Sequence, residues 1–430
     1  MSAAKLPLIC GAALHEKNPT ISLARPEPLG EDRFILITIG HDMDQISNRA
    51  QSVTPSLTLA VTNEVKRLQR EGELVYGLAG GEPDIDTPIH IKEAAIKALN
   101  DGKTKYTPSS GLMELRESIA NKLQVENGLN YNPEDVVVST GGKQACFNAL
   151  AAVLNEGDEV IIPAPYWVSY PEMVKLAGGT PVIIETKESN HWKITAEQFE
   201  EAMTPSTKMI ILNTPGNPTG AVYSREELAA IGEIATYEDI LILSDEIYEK
   251  MIYGTATHTS IGSISEEIAN LTITVGGFSK AYAMTGWRLG YTAAPPAIAK
   301  AIATIQSHTT SNATAFAQYG AIAALDGPMD FLDDLKAEYD VRRQFMLGRL
   351  RGINGVRVTE PHGAFYFFLN CVDLGIKSQN LADKLLSRYQ VASVPGAAFG
   401  HDHGLRFSYC TSFDILSESL DRFEKFCKEH

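Results

Sequence analysis

The chain has 430 residues, of which 44% are hydrophobic and 21% charged, with a formal net charge of −16. That length is too great for one simple core, so two lobes are expected, with the ordinary composition of a soluble globular protein. The acidic balance excludes a general nucleic-acid or anionic-membrane surface, and no apolar run approaches the roughly 18 residues a membrane span needs.

The five cysteines (Cys10, Cys146, Cys371, Cys410 and Cys427) are odd in number and widely spaced, and they form no CxxC pair. This argues against a disulfide framework or a zinc site, so no metal is expected, and a reducing cytoplasm fits best. Residues 1–43 mix proline, glycine and charge without a period and read as an N-terminal extension. Within them LPLICGAAL (Leu6 to Leu14) is a poor signal-peptide core, broken by Pro7 and Gly11. FILITI (Phe34 to Ile39) could pair as a strand.

From Asp44 the pattern tightens. Pro55 to Gln69 reads as a helix capped by Ser56, with Leu57, Val61, Val65 and Leu68 on one face. LVYGLAGGEPDIDTP follows, an apolar strand running into Gly80, Gly81, Pro83 and Pro88; such an exit lets backbone N–H groups approach a ligand. His90 to Asn100 and Met113 to Glu126 read as helices, joined by a polar loop, GKTKYTPSSG, that carries Tyr106. DVVVSTGG is a strand ending in a glycine turn, and a helix follows from Lys143 to Leu154. A strand, a glycine turn and a helix start can receive a phosphate on the helix N-terminus, although the same arrangement is a common tight connection. The spacing is not that of a Walker A loop.

Alternation then continues through the strands EVIIPAP, TPVIIET, TKMIILN, DILILSD and LTITVGG. Helices are expected between them at Val168 to Leu176, Thr195 to Met203 and Ser224 to Tyr237. Apolar strands without alternation, each followed by a helix, imply a parallel or mixed sheet covered on both faces. Functional side chains should gather at the carboxyl ends of such strands. Those ends supply Trp167, Asn217, Asp245 with Tyr248, and Lys280. Lys280 sits just past a strand end among apolar residues, where desolvation would free the neutral amine that makes a Schiff base. Helices from Pro296 to Ser307, Ala313 to Leu325 and Phe331 to Leu350 come next. A strand (Ala364 to Asn370), a helix (Gln379 to Tyr389), a strand (Gly404 to Cys410) and a helix (Ser412 to Lys428) then suggest a smaller α+β lobe.

Six stretches in this order, STGGKQACFNAL, PAPYWVSYPEM, NTPGNPTG, SDEIYE, SKAYAMTGWRLGY and GLRFSYCTS, resemble the class I aminotransferases, and among them the bacterial-type aspartate aminotransferases. The resemblance runs from about Asp44 to the C-terminus. It implies pyridoxal 5′-phosphate (PLP) as cofactor and the fold-type I architecture: an α/β large domain with a mostly parallel sheet, plus a smaller α+β domain. The division expected is 1–43 as extension, 44–87 and 325–430 as the two parts of the small domain, and 88–324 as the large cofactor-binding domain.

The resemblance also implies roles. Lys280 would form the Schiff base and then shuttle a proton. Asp245 would face the pyridine nitrogen and keep it protonated. Tyr248 and Asn217 would donate to the cofactor's 3′ oxygen. Arg288, Ser279 and the N–H groups around Gly142 and Lys143 would hold the phosphate, and Trp167 would stack on the ring. Arg406, with the Gly81 backbone and neighbouring Trp167 and Asn217, would bind the substrate, the arginine clamping its α-carboxylate. Tyr106 would reach the phosphate of a second subunit, implying a homodimer with shared active sites. Taken singly, these residues have plainer readings: Asp245 as a helix cap, Asn217 as turn chemistry, Trp167 as a core aromatic and Arg406 as a solvated strand residue.

The expected reaction is transfer of an amino group from L-aspartate to 2-oxoglutarate, the partners being small amino and 2-oxo acids. An aromatic or prephenate aminotransferase is the alternative, because the cation for a distal carboxylate is not obvious. No arginine lies between Ile302 and Phe316, and Thr54 and Ala151 stand where relatives place a lysine; Lys143 is the remaining candidate.

Overall fold

The computed structural model describes residues 46–430, and Asn48–His430 packs as one compact unit. LPLICGAAL and FILITI lie outside the described residues. The first long helix, Leu57–Arg70, begins where expected: Ser56 precedes it in extended conformation and its Oγ accepts from Leu59 N at 3.4 Å. The strand expected after it shortens to Tyr76–Gly77 (β1), which pairs in parallel with Val391–Ala392. Gly80, Gly81 and Pro83 end the run before a longer ladder can form.

Among the described residues the central sheet has seven strands. In chain order they are Val136–Ser139 (β2), Glu159–Ala164 (β3), Thr180–Glu185 (β4), Thr207–Asn213 (β5), Leu241–Asp245 (β6), Thr272–Gly277 (β7) and Gly290–Ala293 (β8). They lie in the order β2-β8-β7-β6-β5-β3-β4. All neighbours are parallel except at β8, which runs antiparallel to both β2 and β7. The sequence reading has no strand at β8, because GYTA is too short to show a period and begins with a glycine.

The unalternating strands are buried on both sides. Ile162, Ile211 and Leu243 pack in one cluster with the helix Gly142–Val153, while Ile161, Ile210 and Ile242 pack in another with the helix Arg225–Tyr237. Each strand therefore divides its apolar residues between two cores, which is why no hydrophilic face appears in the sequence. β5 and β6 end side by side, with Asn213 beside Asp245, and β7 places Val275 beside Asp245 before running on to Gly277.

The later part of the chain forms a second sheet from Arg357–Val358 (β9), Tyr366–Asn370 (β10), Val394–Pro395 (β12) and Gly404–Ser408 (β13), with Val391–Ala392 as β11. Its order is β12-β13-β10-β9, antiparallel throughout. The expected strand from Gly404 to Cys410 stops at Ser408, and Ser412 caps the final helix, Phe413–Lys428.

Candidate active site

A cavity of about 470 Å³ opens at the carboxyl ends of β5, β6 and β7. At its floor Asp245, the last residue of β6, is buried. Its Oδ2 accepts from Tyr170 Oη at 2.7 Å and from Cys146 Sγ at 3.8 Å, and its Oδ1 accepts from Ile247 N at 3.2 Å. The segment after Asp245 turns rather than forming a helix, so the helix-cap reading does not hold. No lysine, arginine or histidine pairs with this carboxylate among the described residues. Burial pushes its pKa up, against the opposing bond from Tyr170. A buried carboxylate without a counter-cation is a site for a cationic group of a ligand.

Lys280 follows the end of β7 by three residues. Its Nζ donates to the Gly81 carbonyl and lies 5.5 Å from the Tyr248 ring centre and 5.6 Å from that of Phe365. Burial is the largest influence on the ammonium and brings its pKa down to about 8. Arg406, on β13, is buried. Its Nη1 donates to Asn217 Oδ1 at 3.0 Å and its Nη2 to Ala79 O at 2.9 Å, while its Nε is buried without a partner. Such an orphan donor is costly unless a ligand accepts from it. Because Arg406 takes the Asn217 oxygen, the Nδ2 group is what that side chain can offer a ligand. The turn carrying Asn217 is fixed by a bond from its N–H to Asn213 Oδ1 at 2.8 Å.

The other end of the cavity suits an anion. The helix Gly142–Val153 starts without a side-chain cap, after Gly141 at φ +87°. A Cβ on Gly141 would sit 2.4 Å from Arg288 Nη2, and one on Gly290 would sit 2.4 Å from Gly142 N. Two glycines thus bring a guanidinium against free N–H groups at a helix start, the arrangement that receives phosphate. Arg288 itself is held at φ 57°, with Nη1 donating to Thr285 O at 2.8 Å. Lys143 Nζ lies 5.0 Å over the Trp167 ring, and burial, followed by the charge of Arg288, lowers its pKa.

Eleven of the twelve residues named from the sequence line this one cavity, including Gly81, Ser279 and Tyr248. Tyr106 does not; it is 90% exposed. The sequence reading missed Tyr170 and Cys146, which hold Asp245, and Tyr366, whose hydroxyl lies 3.0 Å from that of Tyr248. It also missed Lys66, which lines the cavity with Thr58 and Thr62. The spacing of those three, every fourth residue on a helix whose Val61, Val65 and Leu68 face the core, was the available signal. Thr54 is engaged elsewhere, donating to Glu172 from both N and Oγ1.

The chemistry of the donor set is specific. It combines an anion cradle, a flat indole, a buried carboxylate, a lysine with a lowered pKa and a buried guanidinium with a free donor. That set fits a flat ring carrying a phosphate, a basic nitrogen and a carbonyl, together with a carboxylate substrate.

Residues 74–422 match the family described as aminotransferase class I and II. The chain is 46% identical over 391 residues to the aspartate aminotransferase of Bacillus subtilis, covering 90% of this chain and all of that one. It is 45% identical to the aspartate/prephenate aminotransferase of Cereibacter sphaeroides, over 89% of this chain and 98% of the relative. Among solved structures, the aspartate aminotransferase of Thermus thermophilus with maleate superposes with a TM-score of 0.85 at 42% identity, covering 88% and 99% of the two chains.

Proposed function

This chain belongs to the class I and II aminotransferases, and from that premise we propose that it transfers the amino group of L-aspartate to 2-oxoglutarate, giving oxaloacetate and L-glutamate. The cofactor is pyridoxal 5′-phosphate. The observation that carries the reading is the orphan Nε of buried Arg406 in the same cavity as Lys280 and Asp245.

When bound, the cofactor supplies an aldehyde that takes up an amine and a ring that draws electrons from the amino acid's Cα. Lys280 reaches its neutral form near pH 8, the form that would hold the cofactor's aldehyde carbon, its oxygen leaving as water, and that would move a proton at the substrate's Cα. Asp245 gives the pyridine nitrogen a carboxylate partner, which also relieves the carboxylate's own unpaired burial. Arg288, Ser279 and the N–H groups at Gly142 and Lys143 bind the phosphate, and Trp167 covers the ring. Tyr248 and Asn217 address the 3′ oxygen. Arg406 orients the substrate by its α-carboxylate, so that the Cα proton faces Lys280. Lys66 and the Lys143 side chain are the cations left on the wall for a second carboxylate.

Exposed Tyr106 supports a homodimer in which this residue serves the partner's site. Free Cys146, Cys371, Cys410 and Cys427 support a reducing cytoplasm. The small domain, in this reading, combines 44–87 with 325–430 around a large domain of 88–324, after an extension of 1–43. The Cereibacter relative favours prephenate as a second acceptor.

An absorption spectrum of the PLP-loaded protein before and after L-aspartate tests the proposal. The visible band should bleach as the amino group moves. A response to L-phenylalanine without one to L-aspartate would move the substrate to the aromatic alternative. A protein that takes up no PLP would refute the whole reading.

A further inference from the structure

We propose that Tyr366 is a positioning residue for this reaction, its ring face fixing the Arg406 guanidinium while its hydroxyl donates to Tyr248. One side chain would then tie the clamp on the substrate to the group that addresses the cofactor. The inference rests on the aminotransferase reading above.

Tyr366 opens β10, is 1% exposed and lines the cavity. In the sheet register Tyr366 faces Ser408 and Phe368 faces Arg406, so Tyr366 and Arg406 are diagonal neighbours two positions apart. Side chains so placed share a sheet face and reach one another. The Arg406 guanidinium carbon lies 4.3 Å from the Tyr366 ring centre, with Phe399 at 5.2 Å. The phenol face therefore sets the plane of the cation and supports its charge where water cannot. Two of the cation's donors are already committed to Asn217 and Ala79, so this plane decides where the free Nε points.

The hydroxyl has a second task. Tyr366 Oη lies 3.0 Å from Tyr248 Oη, the two rings meeting edge-on at 80°. Burial pushes both phenols up, Tyr366 to about 12, so both carry their proton at neutral pH. A phenol has one proton to give. If Tyr248 spends its proton on the cofactor's 3′ oxygen, its own oxygen can only accept, and Tyr366 must be the donor. A donor behind Tyr248 polarises that hydroxyl and strengthens its outward bond. The same Oη lies 3.4 Å from where a Gly81 Cβ would be, beside the backbone whose carbonyl takes Lys280.

Phenylalanine would keep the ring and remove the hydroxyl, and leucine would remove both. The test measures two quantities on the PLP-loaded protein: the pH midpoint of the visible band, and the Kd for maleate, an unreactive dicarboxylate. Tyr366→Phe should raise the midpoint by about half a pH unit, as one weakened hydrogen bond requires, with maleate affinity within about twofold of wild type. Tyr366→Leu should weaken maleate about tenfold, the scale of a desolvated cation–π contact. An unmoved midpoint in Tyr366→Phe overturns the proposal, as does wild-type maleate affinity in Tyr366→Leu. If the leucine variant does not fold, the phenylalanine midpoint decides alone. A wild-type protein with no visible band after PLP addition would instead overturn the reading on which the inference rests.

Discussion

Replacing Lys280 by methionine should abolish transamination and, in the cofactor-free protein, leave a pH-dependent mark on stability. Burial holds the Lys280 ammonium at about 8 rather than its ordinary 10.5. That gap corresponds to roughly 3 kcal/mol of charge burial, an upper value because the side chain keeps some contact with water. The folded pKa is the lower one, so between pH 8 and 10.5 the unfolded chain binds more protons and wild-type stability rises with pH. Below pH 8 the cost is present in full. Methionine removes the charge and the cost together, but it also leaves the Gly81 carbonyl without its donor, a loss of about 1–3 kcal/mol. The net difference at pH 7 is therefore small or favours the variant by a few kcal/mol. Its change with pH is the signature, because every other titrating group is common to both proteins. Urea unfolding of the cofactor-free proteins at pH 7, 8, 9 and 10.5 measures it. The advantage of Lys280→Met should shrink by roughly 3 kcal/mol across that range. A stability difference that stays constant with pH would refute the claim that Lys280 is buried at a cost.

Three further outcomes are expected. Gly290→Ala would put a Cβ 2.4 Å from Gly142 N, where only backbone can move, so PLP affinity measured by titration should fall at least about tenfold. Lys122→Met should cost about 3–5 kcal/mol in urea unfolding at pH 7, because buried Lys122 is the cation paired with the half-buried carboxylate of Glu249. Burial raises that carboxylate's pKa, but Lys122, His258 and the bond from Asn127 together outweigh burial and the result is about 2; the stabilisation is thus present above pH 4.5, and the penalty should narrow as pH falls toward 2. Lys66→Ala should weaken maleate binding by about three- to tenfold while leaving kcat/KM for L-phenylalanine unchanged, and equal loss for both ligands would remove Lys66 from the second-carboxylate role.

Much of this molecule was legible in its sequence because its signals are local. A serine before an apolar period starts the helix Leu57–Arg70 and another starts Phe413–Lys428, since capping needs only neighbouring atoms. Unalternating strands separated by helices fix a covered parallel sheet, and the ends of those strands name Trp167, Asn217, Asp245 and Lys280. Short glycine-rich motifs mark the anion cradle, because close backbone approach admits no other residue type.

Tertiary structure alone decided what depends on residues far apart in the chain. The buried strand β8 has four residues and no period, and its place is set by antiparallel pairing with both β2 and β7. Asp245 is held by Tyr170 and Cys146, 75 and 99 residues away. Arg406 is shaped by Ala79 and Asn217 and faced by Tyr366, a meeting of segments that no local pattern encodes. The lowered pKa of Lys280 belongs to the same class: the residue type supplies an amine, but only the packing of distant side chains removes the water that would keep it charged.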